Sequence, residues 1–396
     1  MKKKYIIIGN SAAGVAAMRT LRKYDKDAHI ICFSDEQEPP YNKCFLADYL
    51  GKEKTQKQTY TLTLQQAEQL DIDLRLGMRV VDITSDNRNV MLQNGQSESY
   101  DALLIATGTG PIWPNIDQIK LYGNVFAFHN LRDAQKIYSF IEQNRPKKAV
   151  VIGSGLSGIE AADALHAHNI EVTVVEKDNQ ILSRHVVAQG ADLIEQMMHK
   201  KNITLYKNRT VTSASGNGGL LNQVTLSDAT CLDTDLVIVA VGLKQNLMLA
   251  QKANVKTNAH GIEVNAYLQT SQPKIFAAGD VIATIDQLTG NSIASCTWPD
   301  AMQQGMHAAL AMTENHKPYN GTSIITSSAF FDLKFFNCGP TSDTSGVYDI
   351  IERSGDAFYH RYVCLDGILK GFCLVGNTQQ YAKLRRSLLL KQPLNI

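Results

Sequence analysis

The chain has 396 residues, 44% of them apolar and 19% charged, with Lys+Arg 39 against Asp+Glu 38 and a net charge of +1. That length accommodates two or three domains, and the balanced charge gives no reason to expect nucleic acid or an anionic membrane as a partner. No apolar run reaches the roughly 18 residues needed to span a bilayer, and seven scattered cysteines without a C-x-x-C pair or metal-ligand spacing fit a reduced cytoplasmic enzyme.

The first segment, "KKKYIIIGNSAAG", has lysines before an apolar run, but the run is short and ends at Gly9-Asn10. It reads as a first β-strand rather than a signal peptide. A tight turn, Gly9-Asn10-Ser11-Ala12-Ala13-Gly14, follows and opens a helix; the next strand ends at "FSDE", offering Asp35 or Glu36 as its acid. Strand, glycine turn, helix, strand and acid in that order form a dinucleotide-binding βαβ unit. Ser11 stands where the middle glycine of G-x-G-x-x-G belongs and is small enough to leave room for a pyrophosphate.

Next comes "PPYNKCFLADYL", containing Lys43 and Cys44. Cys44 has two readings, a thiol beside a redox cofactor or a small apolar residue filling a gap, and packing is the more frequent fate of a cysteine. "YDALLIATG" is a buried strand delivering a turn of small residues, Ala106-Thr107-Gly108. Breakers in "GTGPIWPN" end the segment, and "NLRDAQKIYSFIEQ" reads as a helix.

The pattern then repeats in "AVVIGSGLSGIEAADALHAHNIEVTVVEK". Gly153 permits the tight turn, Gly155 the approach of a pyrophosphate, and Gly158 close helix–strand packing, with Leu156 opening the helix. The pyrophosphate would lie over the helix N-terminus, where N–H groups lack intrahelical partners. Glu176 is placed to bond both ribose hydroxyls of NADH and to repel a 2'-phosphate, which favours NADH over NADPH. His166, His168 and His185 carry no motif and read as surface residues.

"LVIVAVG" ends the second unit at Gly242. "TSQPKIFAAGD" is a strand that delivers Gly279-Asp280, whose carboxylate can bond the ribitol and phosphate region of an extended dinucleotide. "WPDAMQQGMHAALAMTENH", from Trp298, reads as a helix with Pro299 in its first turn. A strand-rich tail follows, with Asp366-Gly367 as a hairpin turn and Phe330, Phe331, Phe335 and Phe336 as core.

"IIGNSAAG", "LIATG", "VIGSGLSGIEAA" and "TSQPKIFAAGD" resemble the FAD- and NADH-binding blocks of the pyridine nucleotide–disulfide oxidoreductase superfamily, in order and over nearly the whole chain. The resemblance implies an α/β fold with two Rossmann-like domains: FAD in residues 1–115 and 246–317, NAD(P)H in residues 116–245, and an α+β domain in residues 318–396. In the family that last domain closes over the flavin or forms a dimer interface, and both readings stay open. The resemblance also implies that Glu160 lies near the nicotinamide, that Lys43 lies near the flavin phosphates, and that the Trp298 helix points its N-terminus at the flavin pyrimidine.

No C-x-x-x-x-C follows the first helix and no His-Pro occurs near the C-terminus, so the dithiol route of lipoamide and glutathione reductases is ruled out. Two groups remain. "PPYNK" and the "WPxAxxQG" helix are similar to reductases of small iron proteins, rubredoxin or ferredoxin, and to the flavin portion of NADH nitrite reductase. A lysine common later in their segment is absent; Ala47-Asp48 stand there. Cys44 aligns with the flavin-facing cysteine of NADH oxidases, peroxidases and coenzyme A-disulfide reductases. Phe45 replaces the glycine after that cysteine, and Ala12 replaces the peroxidase histidine. The resemblance therefore implies a flavoenzyme passing electrons from NADH to a small electron carrier. The alternatives are Cys44-assisted reduction of oxygen, peroxide or a small disulfide, or a slow-turnover flavin redox sensor.

Overall fold

Lys4–Ile8 ends in three isoleucines and is buried on both faces from Tyr5 onward, as a central parallel strand requires. It pairs in parallel with His29–Phe33 on one side and Ala102–Ile105 on the other. Ile72–Arg75 and Ile275–Ala277 complete a five-stranded parallel sheet at its two edges. The computed structural model describes residues 2–343 and 345–394. The chain divides into two compact units: Met1–Phe45 with Thr55–Gly110 and Leu243–Ile324, and Leu46–Lys54 with Pro111–Gly242 and Ile325–Ile396.

In the first unit the helix Ala12–Tyr24 buries Val15, Met18 and Leu21 against the sheet. The helix Trp298–Met312 runs close beside it: a Cβ at Gly305 would lie 2.1 Å from Ala13 O, so only glycine allows the approach. A three-stranded antiparallel meander, Val80–Thr84, Asn89–Leu92 and Ser97–Ser99, adjoins this core.

The second unit carries a parallel sheet of the same design. Lys148–Ile152 lies between Glu171–Val175 and Leu236–Val239, with Thr204–Tyr206 and Val125–Ala127 at the edges. The registers coincide, Ile8 facing Phe33 and Ile105 as Ile152 faces Val175 and Val239. A second meander, Val211–Asn217, Leu220–Leu226 and Cys231–Asp233, occupies the corresponding place in the chain. Only the last strand differs in origin: Ile275–Ala277 comes late in the chain, whereas Val125–Ala127 precedes its sheet.

The second unit also contains a five-stranded antiparallel sheet ordered Ile325–Phe330, Leu333–Cys338, Ile368–Val375, Phe358–Leu365 and Asp349–Gly355. Asp366-Gly367 joins its longest hairpin with φ of 52° and 73°, the two positive values of a type I′ turn. Phe330, Phe331 and Phe335 are buried there, and Phe336 stacks on Tyr381 of the terminal helix. Among the described residues no helix is long and apolar enough to cross a membrane, and no group of metal-ligating side chains gathers.

Candidate functional site

Each parallel sheet presents a glycine loop at the carboxyl end of its central strand, where open α/β sheets bind ligands. In the first loop Gly9 has φ of +111°, and a Cβ there would lie 2.2 Å from Ala106 O. A Cβ at Gly14 would lie 2.0 Å from Gly9 O. In the second loop Gly153 (φ +100°) meets Ala240 O at 2.4 Å and Gly158 meets Gly153 O at 2.0 Å in the same test. These four glycines are required by the protein's own backbone. Gly155 is not, because a Cβ there meets nothing within 4 Å; its open face is space for a ligand. Ser11 fills the equivalent position with φ of −85°, an ordinary value that explains why a serine is accepted.

Neither helix start is capped by a side chain, at Ser11 or at Gly155. The first main-chain helical bonds are Val15 N to Ser11 O and Ile159 N to Gly155 O. The N–H groups of Ala12, Ala13 and Gly14, and of Leu156 through Gly158, therefore face the loop as an anion cradle. This geometry fits the pyrophosphate of a dinucleotide at both loops.

Glu176 follows its strand directly. One carboxylate oxygen accepts Ser154 N at 2.8 Å and Ser154 Oγ at 2.6 Å, and the other accepts Asp178 N at 2.9 Å. The residue is 8% exposed, so these bonds fix the acid at the loop's edge. The first copy puts its acid elsewhere. Gly9 N bonds Phe33 O as Gly153 N bonds Val175 O, so Ser34 stands at the position of Glu176. Asp35 is exposed, whereas Glu36 is half-buried and accepts a bond from Tyr41 OH at 2.7 Å. Of the two acids the sequence offers, Glu36 is the one built into the structure.

The Gly279-Asp280 turn packs on the first loop, since a Cβ at Gly279 would lie 3.1 Å from Ala13 Cβ. The Asp280 carboxyl is raised by burial, with Lys43 opposing and Asp300 adding to the shift. Ala106, Thr107 and Gly108 form the turn after the strand Ala102–Ile105. Asn246 locks that turn by donating to Thr107 O at 2.8 Å and bonding Gly108 O through its own N–H at 3.0 Å. Trp298 opens its helix with Pro299 in the first turn and packs on the core of the first unit. In the second unit, Gly242 takes φ of +126° and its carbonyl accepts Ile112 N at 2.9 Å.

Two expectations, for Cys44 and His168, need correction, and Glu160 gains a defined partner. Cys44 is exposed on the short 3₁₀ turn Lys43–Phe45, so it does not fill a gap in a core; its N–H bonds Asn42 Oδ1 at 2.9 Å. Glu160 is bonded within the second unit: Ser328 Oγ donates to its Oε1 at 2.5 Å, and burial raises its carboxyl to about 7. His168 is not a free surface group, since its Nε2 lies 2.6 Å from Leu50 O.

Two further residues escaped sequence reasoning. Gln304, wholly buried, accepts Gly279 N at 2.8 Å and reaches Tyr319 OH at 3.2 Å, joining the Asp280 turn to the Trp298 helix. The signal was present as a polar residue at an apolar helical position in "AMQQG". Cys296 precedes the same helix with φ of +46°. Its side chain is exposed, and the neighbouring Asp280 opposes ionisation of its thiol.

A family model described as pyridine nucleotide-disulphide oxidoreductase matches residues 3–309. A curated NADH oxidase of Methanocaldococcus jannaschii is 32% identical over 306 residues, 76% of this chain and 68% of that protein. The 3-phenylpropionate/cinnamic acid dioxygenase ferredoxin–NAD(+) reductase component of Photorhabdus laumondii subsp. laumondii is 31% identical over 320 residues, 80% of this chain and 79% of that protein. Among solved structures, the ferredoxin reductase for the CYP199A2 system of Rhodopseudomonas palustris superposes with a TM-score of 0.91 at 25% identity, covering 100% of this chain and 96% of its own. With two glycine loops that fit dinucleotides and a family match over most of its length, the chain belongs to the pyridine nucleotide–disulphide oxidoreductase family and is an FAD-dependent NAD(P)H oxidoreductase.

Proposed function

We propose that this protein takes reducing equivalents from NADH at the second glycine loop and passes them, through FAD at the first, to a small ferredoxin- or rubredoxin-like carrier protein. FAD, when bound, supplies the acceptor for the two electrons of the nicotinamide and can release them one at a time. The observation that carries the reading is the pair of open helix N-termini at Ser11 and Gly155, each over a glycine loop, in a chain similar to a ferredoxin–NAD(+) reductase component.

The roles fall to this chain's residues as follows. Gly9, Ser11 and Gly14, with the N–H groups of Ala12 and Ala13, hold one pyrophosphate; Gly153, Gly155, Leu156 and Gly158 hold the other. Glu36 takes the ribose at the first site, and Asp280 the ribitol. Lys43 offsets negative charge there, and its attraction already opposes the raised Asp280 carboxyl. Glu176 takes the ribose at the second site, and a carboxylate there supports NADH over NADPH. Residues 1–115 and 246–317 would bind FAD, 116–245 NADH, and 318–396 would cap or pair the molecule.

A second reading is favoured by one observation, the exposure of Cys44 beside Lys43. A thiol there can act on peroxide, oxygen or a small disulfide. The test is an anaerobic NADH titration of the FAD-loaded protein and its Cys44→Ser variant, followed by turnover with ferredoxin, rubredoxin, oxygen, peroxide and coenzyme A disulfide. One equivalent of NADH per flavin in both proteins, with fast carrier reduction, is the expected result. Uptake beyond one equivalent, with a charge-transfer band lost in Cys44→Ser, would move the function to the cysteine-assisted class.

A further inference from the structure

Glu160 sits in the helix Leu156–His166 that follows the second glycine loop. Its partner comes from far along the chain: Ser328, on the strand Ile325–Phe330, donates its hydroxyl to Glu160 Oε1 at 2.5 Å. Three residues on, on the same helix face, Asp163 accepts Phe331 N at 3.0 Å. Lys201 and Asp332 pair at 3.1 Å just beyond. The strand end is thus held to the second unit's helices by contacts that do not need the Ser328 hydroxyl.

Among the described residues no basic group balances Glu160. The strands Ile325–Phe330 and Leu236–Val239 carry no titratable side chain. Lys148 and Glu171 lie at the exposed starts of their strands. The short helix Leu46–Leu50 brings Asp48, which is paired with Lys54 at 2.8 Å, and Tyr49, which stacks on Tyr138. Burial raises the Glu160 carboxyl and Asp48 adds to it, while the Ser328 hydroxyl pulls the other way.

We propose that Ser328 is a positioning residue for Glu160, holding its carboxyl in one orientation at the nicotinamide end of the second site and favouring its ionised form. This rests on the reading of that site as the NADH site with Glu160 near the nicotinamide. The ring of NADH is neutral and that of NAD⁺ is cationic, so a fixed carboxylate stabilises the charge that develops as the ring is oxidised, and a carboxylic acid does not. A hydroxyl that donates to the carboxylate favours the ionised form. Electron transfer from NADH should therefore rise with pH along the ionisation of Glu160, and Ser328 sets where that limb falls.

The test follows the Glu160 carboxyl directly, by carbon NMR of FAD-loaded protein labelled in its glutamates, with Glu160→Gln identifying the signal by its loss. Wild type should be half-ionised near pH 7. Ser328→Ala should move the midpoint up by roughly one unit, the effect of losing one hydrogen bond to a charged group. The ionised fraction at pH 7 then falls from about a half to about a tenth, and anaerobic flavin reduction by NADH slows about fivefold. Ser328→Thr, which keeps the hydroxyl, should restore both midpoint and rate; Ser328→Cys, a weaker donor of similar size, should fall between and serves if the alanine variant does not fold. An unmoved Glu160 midpoint in Ser328→Ala, or a moved midpoint with an unmoved rate limb, overturns the proposal and leaves the NADH site standing. If Glu160→Gln keeps the wild-type rate limb, the proposal falls with the placement of Glu160 at the nicotinamide.

Discussion

Glu176 and Glu160 lie in one βαβ unit and are held in opposite ways. Glu176 receives two main-chain N–H groups and one hydroxyl, which fix its orientation. The acid is therefore held at one place in the site. Two unit charges about 4 Å apart repel by ~1 kcal/mol in water and ~4 kcal/mol at an effective dielectric of about 20. A 2'-phosphate brought to this acid meets a penalty in that range. Glu176→Gln keeps the shape and removes the charge. We expect its NADPH-to-NADH ratio of kcat/KM to rise about tenfold or more, since each ~1.4 kcal/mol is a factor of ten. Steady-state kinetics with both nucleotides checks this. An unchanged ratio would mean that specificity is set by other groups, with Lys177 the first to test. The Ser154 bonds to this acid were not legible in the sequence: the motif marks Ser154 as a variable position between two glycines, and only the folded loop turns its hydroxyl toward Glu176.

At the scale of elements, the parts that local chemistry dictates were readable. The helix Leu131–Asn144 starts where Asn130 precedes Asp133: Asn130 Oδ1 accepts Asp133 N at 2.8 Å and the Asp133 carboxylate bonds back to Asn130 N at 3.3 Å. Asp366-Gly367 dictates its hairpin in the same local way. Elements whose role depends on distant partners were not readable. The strand Ile325–Phe330 gives no sign in its sequence that Ser328 will meet Glu160, because the two are 168 residues apart. Gln304 is similar, marked only as a polar residue among small apolar ones until the fold brings Gly279 N to it. The local case allows a clean prediction. Asn130→Ala removes the cap of a helix that buries Leu131, Ala134, Ile137 and Ile141, and should cost about 1 kcal/mol. Thermal melting should show a shift of a few degrees, with NADH affinity unchanged. A loss of NADH binding instead would show that the cap serves the site rather than the helix.

At the scale of the molecule, one design was used twice. Each unit has a complete five-stranded parallel sheet, its own three-stranded meander and its own glycine loop. The duplication was visible in the sequence because glycines at close approaches cannot be replaced: Gly9 and Gly14 recur as Gly153 and Gly158 with nearly the same backbone distances. The middle position, where the protein itself demands nothing, was free to become Ser11 in one copy and Gly155 in the other. Duplication also implies that each loop can be damaged alone. In Gly158→Ala the new methyl would lie 2.0 Å from Gly153 O, a backbone contact that no rotamer relieves. Overpacking of this kind typically costs about 1–3 kcal/mol, and the strain falls on the loop that would hold the NADH pyrophosphate. We expect the purified variant to remain yellow, with flavin content near that of wild type, while the NADH concentration for half-maximal bleaching rises at least tenfold. Dithionite, which needs no nucleotide site, should bleach both proteins alike. The mirror variant, Gly14→Ala, carries the same 2.0 Å clash in the first loop and should emerge colourless yet still bind NADH in a calorimeter. If Gly158→Ala instead loses its flavin and Gly14→Ala keeps it, the two loops have been assigned to the wrong dinucleotides, and the direction of electron flow through the chain must be redrawn.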